Sequence, residues 1–251
     1  AITRDSTLVY RVKTNTWDLY VPQPDVMSEI HLGPDRTVAL DPGYRTLLTG
    51  YSDGHLLSIG DGVMKLPRWH EKRRAEMEKI GSRERLRRLK RELRTCRSRR
   101  RRKILRKRIR RMSKGHHRRA KLAALDRKLA SRVDDLHWKT VAYLTANYRH
   151  ILLGDMSPVR IISRDGNLHR RGKRRMVQLR YGSLVERLRF KCQCKGVSLT
   201  VVDESWTSVT CGACGYVNPK SASKTFSCGR CRYTIDRDVN GARNIYLKSR
   251  Q

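Results

Sequence analysis

Short stretches of alternating apolar and polar residues make up most of the first sixty positions. Residues 1–35 alternate weakly and predict short strands that end at the turn Gly33-Pro34-Asp35. Three more strongly apolar runs follow, separated by turn residues, over residues 37–40, 47–51 and 56–59. Since tight turns join neighbouring strands in opposite directions, these runs predict an antiparallel meander.

A helical period replaces the alternation from about residue 66 to residue 148. Leucines recur three and four positions apart at 86, 89 and 93, and the theme repeats from Leu122 to Leu136. Gly115 predicts a break between two long helices. Acidic residues are nearly absent from 93 to 125, whereas a solvated helix face usually interleaves acids with bases. This segment is therefore predicted to bind phosphates.

The rest of the chain mixes both kinds of element. The pattern predicts a buried strand at 151–153, a polar basic loop at 157–175, a helix at 176–195, a strand at 197–202 and a terminal helix at 238–247. This order is typical of an α/β layer in which helices pack on a mixed sheet.

The net charge of the chain indicates which class of binding partner it has. The chain has 251 residues, with 58 Lys and Arg against 23 Asp and Glu, and a formal net charge of +35. An excess of this size destabilises a compact chain unless a polyanion neutralises it, which predicts a nucleic-acid partner. Because no long apolar run is present and no helix combines a basic face with Trp or Phe, no membrane partner is predicted. No small-molecule substrate is predicted either. The side chains expected to bind nucleic acid are Arg99, Arg100, Arg101, Arg102, Lys103, Arg106, Lys107, Arg110, Arg118, Arg119, Arg170, Arg171, Lys173 and Arg174.

Four of the seven cysteines form two CxxC pairs. Cys211 and Cys214 are separated from Cys228 and Cys231 by the thirteen residues from 215 to 227. Each pair places two thiolates on one side of a tight turn, and two such turns complete a tetrahedron around Zn²⁺. The pattern predicts a metal site rather than a disulfide framework. Since all four positions are closed, the zinc is expected to be structural and to supply the folding free energy of the segment.

Several acidic residues follow predicted buried strands in a chain that is otherwise basic. Asp41 and Glu204 each follow such a strand, and Asp238 opens the terminal helix. Mg²⁺ prefers hard oxygen ligands, and cleavage of phosphodiesters commonly uses two metal ions held by a few carboxylates. Asp155 and Asp236 are secondary candidates. Each acid has an alternative role as a turn residue, as for Asp41, or as a helix N-cap, as for Asp236.

Two motifs carry a resemblance to a known family. The C-terminal motif is Thr207-Ser208-x-Thr210-Cys211-x-x-Cys214-Gly215, then Cys228-x-x-Cys231, then Asp236-Arg237-Asp238-x-Asn240-Gly241-Ala242-x-Asn244-Ile245. It is similar to the C-terminal signature of TnpB, a family of transposon-encoded, RNA-guided DNA nucleases related to type V CRISPR effectors. The segment Val38-Ala39-Leu40-Asp41-Pro42-Gly43 resembles the first RuvC motif of that family. The resemblance covers roughly residues 1–248.

This resemblance implies an RNase H-like (RuvC) α/β fold with a mixed sheet, a basic helical insertion and an inserted four-cysteine zinc ribbon. The implied domains are residues 1–35 as terminal strands of a truncated, wedge-like N-terminal domain, 36–65 and 150–206 as two parts of RuvC, 66–149 as the basic insertion, 207–233 as the zinc ribbon and 234–251 as the last RuvC helix.

One position departs from the TnpB pattern. The Glu that TnpB carries directly after the strand before the basic loop is replaced here by Gly154, with Asp155 beside it. Fanzor proteins, the eukaryotic and viral relatives, often carry an alternative Glu just before the Thr-Ser of the zinc motif, and Glu204 fits that arrangement. The resemblance thus favours a Fanzor-like protein over a bacterial TnpB. It implies that Asp41, Glu204 and Asp238 hold the catalytic magnesium.

The implied function is RNA-guided cleavage of DNA by a metal-dependent endonuclease of transposon origin. Guide RNA and target DNA would be its partners, and a structural Zn²⁺ and two catalytic Mg²⁺ ions its cofactors. The loss of the usual Glu motivates an alternative, a catalytically inactive, RNA-guided DNA-binding regulator derived from such a nuclease. A zinc-ribbon RNA-binding structural protein is a third interpretation, which leaves Asp41-Pro42-Gly43 unexplained. The expected location is the nucleus for a Fanzor-like protein and the cytoplasm otherwise.

Overall fold

The structure is a computed structural model, and it describes residues 5–12, 16–21, 36–79, 83–113, 115–155, 169–219, 221 and 223–249 of the chain. The predicted turn Gly33-Pro34-Asp35 and most of the predicted loop at 157–175 lie outside these residues. The chain divides into two compact units, one formed by residues 1–24 and 66–132 and the other by residues 25–65 and 133–251.

The first unit contains a strand hairpin and most of the basic helices. Strands β1 (Thr7–Arg11) and β2 (Thr16–Tyr20) pair in antiparallel fashion. Helices α1 (Lys65–Lys79), α2 (Arg83–Thr95), α3 (Arg99–Ser113) and the first part of α4 (Gly115–Asn147) follow. The apolar stripe predicted for α4 is confirmed, since Leu125 and Leu129 are buried. Across the described residues, every helix is too short or too polar to span a lipid bilayer.

Four helices lie in the described part of the basic segment, so the prediction of two long ones is wrong. The break near Gly115 is confirmed, because α4 begins at that residue. A further break lies between α2 and α3. There the hydroxyl of Thr95 turns back to the carbonyl of Glu92 at 3.3 Å, while the hydroxyl of Ser98 accepts the N–H of Arg101 at 3.4 Å and caps α3. Local hydroxyl contacts thus end one helix and start the next within three residues.

The second unit is built on a five-stranded mixed sheet. Its strands are β3 (Thr37–Pro42), β4 (Leu48–Ser52), β5 (His55–Ile59), β6 (His150–Gly154) and β7 (Ser198–Val202), in the order β5-β4-β3-β6-β7. The first three form the predicted antiparallel meander, and β6 and β7 run parallel to β3. The predicted α/β layer with a mixed sheet is confirmed.

Helices cover both faces of this sheet. The terminal helix α7 (Arg237–Lys248) packs through Ile245 and Tyr246 on Ala39 of β3 and Leu152 of β6. Along β3 and β6, the residues next to Ala39 and Leu152 point to the opposite face of the sheet. There, helix α6 (Tyr181–Lys195) buries Leu184 and Leu188 beside strand β7.

A second correction concerns the segment before α6. Helix α5 (Arg170–Leu179) begins inside the stretch predicted as a loop, and the predicted single helix at 176–195 is divided between α5 and α6. The division falls at Arg180, which adopts a left-handed backbone conformation with φ of 49°. Its guanidinium forms an ion pair with Asp134 on α4. A contact between residues far apart in sequence therefore accompanies the break, and the local apolar period does not reveal it.

Candidate active site and four-cysteine cluster

Three parallel strands bring their carboxyl ends to one edge of the sheet. Leu40 of β3 lies opposite Leu153 of β6, and Gly154 at the end of β6 lies opposite Val202 of β7. Asp41 is the penultimate residue of β3, and Glu204 comes two residues after β7. Alternation along β3 places Asp41 on the face covered by α7. The fold thus brings the end of β3 beside the ends of two strands that come more than a hundred residues later in the sequence.

The carboxylate of Asp41 lies directly against helix α7. A Cβ built on Gly241 would lie 2.6 Å from Asp41 Oδ2, so glycine is what permits this close approach. Asp238 precedes Gly241 by three residues and therefore lies on the same side of the helix. Burial raises the pKa of Asp41 well above its ordinary value, and the carboxylates of Glu204 and Asp238 raise it further. The structure therefore brings the predicted acids Glu204 and Asp238 close enough to Asp41 for their charges to act on it.

Glu204 occupies the space above Gly154. A Cβ built on Gly154 would overlap the Glu204 carboxylate oxygen Oε1 and would lie 2.9 Å from its Cγ and Cδ. Glu204 Oε1 is buried and has no hydrogen-bond partner among the described residues. Burial raises the pKa of Glu204 to about 7, with smaller contributions from Asp155 and Asp203. A buried carboxylate oxygen without a donor is costly, and a bound cation would satisfy it.

The two secondary candidates have other surroundings. Asp155 is exposed, and its N–H donates to the carbonyl of Val202 at 2.8 Å, which extends the pairing of β6 with β7. Asp236 is the N-cap of α7: its Oδ1 accepts the N–H of Asp238 at 2.9 Å. Neither acid contributes to the raised pKa of Asp41. The capping role fixes the first turn of the helix that carries Asp238.

Tyr181 is a residue near the acids that the sequence did not indicate. Its hydroxyl lies 2.5 Å from the carbonyl oxygen of Gly43 and 2.9 Å from that of Leu47, so it holds the loop that follows Asp41. Burial, and to a smaller extent the charge of Asp41, raise the pKa of Tyr181. Beside it lies a cavity of about 180 Å³ that is also lined by Gly154 and Asp155. A tyrosine within an amphipathic helix carries no signal of such a contact.

The four cysteines of the CxxC pairs form one cluster. Their sulfur atoms all lie within 4.8 Å of one another. The Sγ atoms are 3.7 Å apart between Cys211 and Cys231 and between Cys214 and Cys228. Four thiolates around one zinc ion, at a Zn–S distance of about 2.3 Å, would be separated by about 3.8 Å. The donor set and its spacing therefore fit a closed, tetrahedral zinc site.

Two asparagines dock the cysteine ribbon on the helix that carries Asp238. Asn240 accepts the N–H of Gly212 at 3.1 Å and donates to the carbonyl of Thr210 at 2.8 Å. Asn244 donates to the carbonyls of Thr207 and Thr210, both at 2.7 Å. Both side chains are buried. They therefore tie the segment between Glu204 and the first cysteine pair to the third acid.

The predicted nucleic-acid contacts lie mainly on two helices. On α3, the predicted side chains are exposed except for Arg102, which is half-buried. Among the described ion pairs of this helix, Arg101 pairs with Glu92 at 2.8 Å. Arg170, Arg171 and Arg174 of α5 are exposed as well, and Lys173 is half-buried. The side chains of Arg118 and Arg119 lie outside the described residues.

Comparisons with known proteins show which proteins this chain resembles. A profile of the Cas12f1-like TNB domain matches residues 181–245, a span that contains Glu204, the four clustered cysteines and Asp238. The protein R186 of Acanthamoeba polyphaga mimivirus, which carries a transposase name, is 31% identical over 214 residues, or 83% of this chain and 39% of that protein. The TnpB-like protein L79 of the same virus is 26% identical over 245 residues, or 97% of this chain and 43% of that protein. The chain thus spans about two fifths of the length of these curated relatives.

Solved structures show the fold. A chain of the cryo-EM structure of a CRISPR-Cas12f ternary complex superposes with a TM-score of 0.54 at 16% identity, covering 91% of this chain and 41% of that chain. The mixed sheet with acids at the carboxyl ends of its parallel strands is thus the RNase H-like, RuvC-type fold of such effectors. The sequence matches are more specific. They relate the chain to the TnpB and Cas12 RNA-guided nucleases.

Proposed function

We propose that the protein is an RNA-guided, divalent-metal-dependent DNA endonuclease of transposon origin. The observation that carries this proposal is the position of Glu204, whose carboxylate fills the space above Gly154 and raises the pKa of Asp41. An acid that is absent from the end of β6 is thereby supplied from the segment after β7. The orphaned oxygen of Glu204 supports a cation at this edge of the sheet.

In this proposal Asp41, Glu204 and Asp238 hold Mg²⁺. The ions would supply an activated water and stabilise the leaving oxygen of the cleaved phosphodiester. Asp236 and Gly241 position the helix that carries Asp238, and Tyr181 positions the loop after Asp41. The exposed bases of α3 and α5 would bind the backbones of guide RNA and target DNA, while base pairing reads the sequence.

The alternative function is an RNA-guided DNA-binding regulator that does not cleave. It would be favoured if Glu204 pointed away from the other two acids. The carboxylate of Glu204 is instead close enough to Asp41 to raise its pKa, which supports the nuclease. Binding of target DNA without any metal-dependent product would support the regulator.

We further propose that the protein is Fanzor-like, because its second acid is Glu204 rather than a residue at the position of Gly154. A nuclear location follows from that proposal. The location of a fluorescently tagged chain in eukaryotic cells would test it, and exclusion from the nucleus would contradict it.

An exchange of the acid between positions 154 and 204 tests the proposed site. Cleavage is measured with the RNA that copurifies with the chain, on DNA matching that RNA, with and without Mg²⁺. Glu204→Ala should lower the rate about 10³-fold or more, since a metal-held charge contributes several kcal/mol to the transition state. Gly154→Glu alone should destabilise the fold, because its Cβ would overlap Glu204.

The double variant Gly154→Glu with Glu204→Ala should then recover the stability lost by Gly154→Glu and part of the cleavage. Asp41→Ala should be inactive in either background. Full cleavage by the Asp41→Ala protein would contradict the assignment of Asp41 as a ligand of the catalytic metal. Binding of Mn²⁺, followed by electron paramagnetic resonance, gives a readout that is independent of cleavage and should fall in the Asp41→Ala protein.

A further inference from the structure

Trp206 differs from the other three tryptophans of the chain. Each of those contacts a ring or a guanidinium: Trp17 packs on Tyr10, Trp69 on Arg132 and Trp138 on Arg187. Trp206 is 68% exposed, and its ring makes no aromatic or cation contact with any described side chain. Isolated exposed apolar residues are common, so exposure alone does not assign a role.

The backbone of Trp206 supplies a second observation. Its φ is 69°, in the left-handed region that disfavours residues with a side chain. The turn is nevertheless fixed. The carbonyl of Trp206 accepts the N–H groups of Val209 at 3.1 Å and Thr210 at 2.9 Å, and the Thr210 hydroxyl at 2.9 Å. Glycine would adopt this conformation without strain, so the fold of the turn gives no reason for a tryptophan here.

The same turn carries Glu204. Both the N–H and the hydroxyl of Thr207 donate to the carbonyl of Glu204, at 3.1 and 2.8 Å. Two peptide steps separate Trp206 from Glu204, so their Cα atoms lie within about 8 Å of each other. The strained turn therefore exposes a large flat ring next to an acid of the candidate active site.

We propose that Trp206 is a stacking platform for an unpaired nucleobase of the DNA strand that reaches the three acids. This inference rests on the proposed function. A chain with a net charge of +35 attracts the phosphates of that strand, whose bases then need apolar surface. Stacking on an aromatic ring accepts any base, which suits a protein whose sequence choice comes from base pairing.

Binding of short single-stranded oligodeoxynucleotides tests the proposal. The full chain carries Asp41→Ala so that no DNA is cut, and affinity is measured by fluorescence anisotropy. Trp206→Ala should weaken binding about five-fold or more, and Trp206→Phe should retain most of the affinity. Phe190→Ala is the matched control, since Phe190 is an aromatic residue of α6 that is 52% exposed, and it should bind normally.

A scan of abasic sites separates stacking from a general effect on folding. One abasic position in the oligonucleotide should weaken binding to the Trp206 chain but not weaken it further in the Trp206→Ala chain. The same loss in both chains would overturn the proposal, as would unchanged binding by Trp206→Ala. This assay measures binding and not cleavage. If the wild-type chain failed to cleave its target DNA, the proposed nuclease function would be wrong, but the binding result for Trp206 would still stand.

The strained backbone conformation of Trp206 allows an independent test. Trp206→Gly should melt at a temperature a few degrees above that of Trp206→Ala, since glycine accepts the left-handed backbone, yet it should bind DNA as weakly. If Trp206→Gly were less stable than the wild-type chain, the ring would stabilise the folded turn and have a structural role, and the proposal would be wrong.

Discussion

Cys228 of the four-cysteine cluster and the buried acids Asp41 and Glu204 are prepared for a cation in opposite ways. At the cysteine cluster, main-chain N–H groups of Cys231 and Arg230 approach the sulfur of Cys228 at 3.5 and 3.4 Å. They lower the pKa of Cys228 to about 6, which favours the thiolate. At the acid cluster, burial and neighbouring carboxylates raise the pKa of both Asp41 and Glu204. The backbone thus stabilises the charged form of Cys228, whereas burial and neighbouring carboxylates disfavour the charged forms of Asp41 and Glu204.

This difference assigns different tasks to the two ions. A zinc ion on the cysteine cluster would be part of the fold, because the ribbon around it has a small apolar core formed by Phe226 and two of the cysteines. Magnesium on the acid cluster would relieve the repulsion between neighbouring carboxylates. Loss of zinc should therefore disrupt structure, whereas loss of magnesium should change stability mainly at the pH values where the acids are ionised.

Removal of a cysteine ligand should have the largest effect. Cys211→Ser is expected to lose zinc and to lower the free energy of unfolding by several kcal/mol, because zinc binding contributes to folding. Zinc content measured by mass spectrometry and thermal unfolding followed by circular dichroism check this. Cys194→Ser, outside the ribbon, is the control and should keep its zinc.

Cleavage should fall together with the zinc, because the ribbon connects Glu204 to Asp238 along the chain. A Cys211→Ser protein that has lost zinc and still cuts DNA at the normal rate would show that the two clusters are independent.

The pH dependence of stability should reveal the uncompensated charge of Glu204. Its folded pKa of about 7 lies above its ordinary value of 4.5, so the folded state binds more protons between these values. The contribution of Glu204 to the free energy of unfolding should thus be largest below about pH 4.5, fall as the pH rises to about 7, and then level off. The fall attributable to this group is on the order of 3 kcal/mol.

Glu204→Gln should flatten this part of the profile, and Mg²⁺ added to the wild-type protein should oppose the fall. Chemical denaturation across the pH range measures both effects. Stability that rises with pH between 4.5 and 7 in the wild-type protein alone, and not in Glu204→Gln, would contradict the assignment of a raised pKa.

Loosening the link between the clusters should have the smallest effect. Asn244→Ala removes two hydrogen bonds to buried carbonyls and should lower the free energy of unfolding by about 1–2 kcal/mol. It should also speed the transfer of zinc to a chelator, since the ribbon is less firmly docked. Asn147→Ala is the control, because its amide caps the exposed end of α4. Equal rates of zinc loss in the two variants would show that Asn244 does not hold the ribbon.

The cysteine cluster could be predicted from the sequence more completely than the acid cluster. The cysteine cluster is local, and the spacing of two CxxC pairs suffices to locate it. The acids follow strands that come together only in the sheet. Hydrophobic runs could therefore identify Asp41 and Glu204 as candidates but could not show that they lie close together. The resemblance to TnpB is what grouped these acids into one predicted site.

Other features depend on contacts that have no local signal. The hydroxyl of Tyr181 reaches two carbonyls more than a hundred residues earlier in the chain, and Arg180 ends a helix while pairing with Asp134. The apolar period continues through both positions. Asn240 and Asn244 were visible as part of a motif, but their role in docking the ribbon is evident only when the carbonyls that they contact are in place.

The shared space above Gly154 restricts the order in which mutations can accumulate. A side chain cannot be added at 154 while the carboxylate of Glu204 lies there, since even a Cβ would overlap it. A lineage that moves this acid from one position to the other must therefore pass through an ancestor in which the acid is missing or displaced. Such ancestors would still bind nucleic acid through their basic helices. Binding proteins that no longer cut DNA are thus an expected product of that evolutionary route.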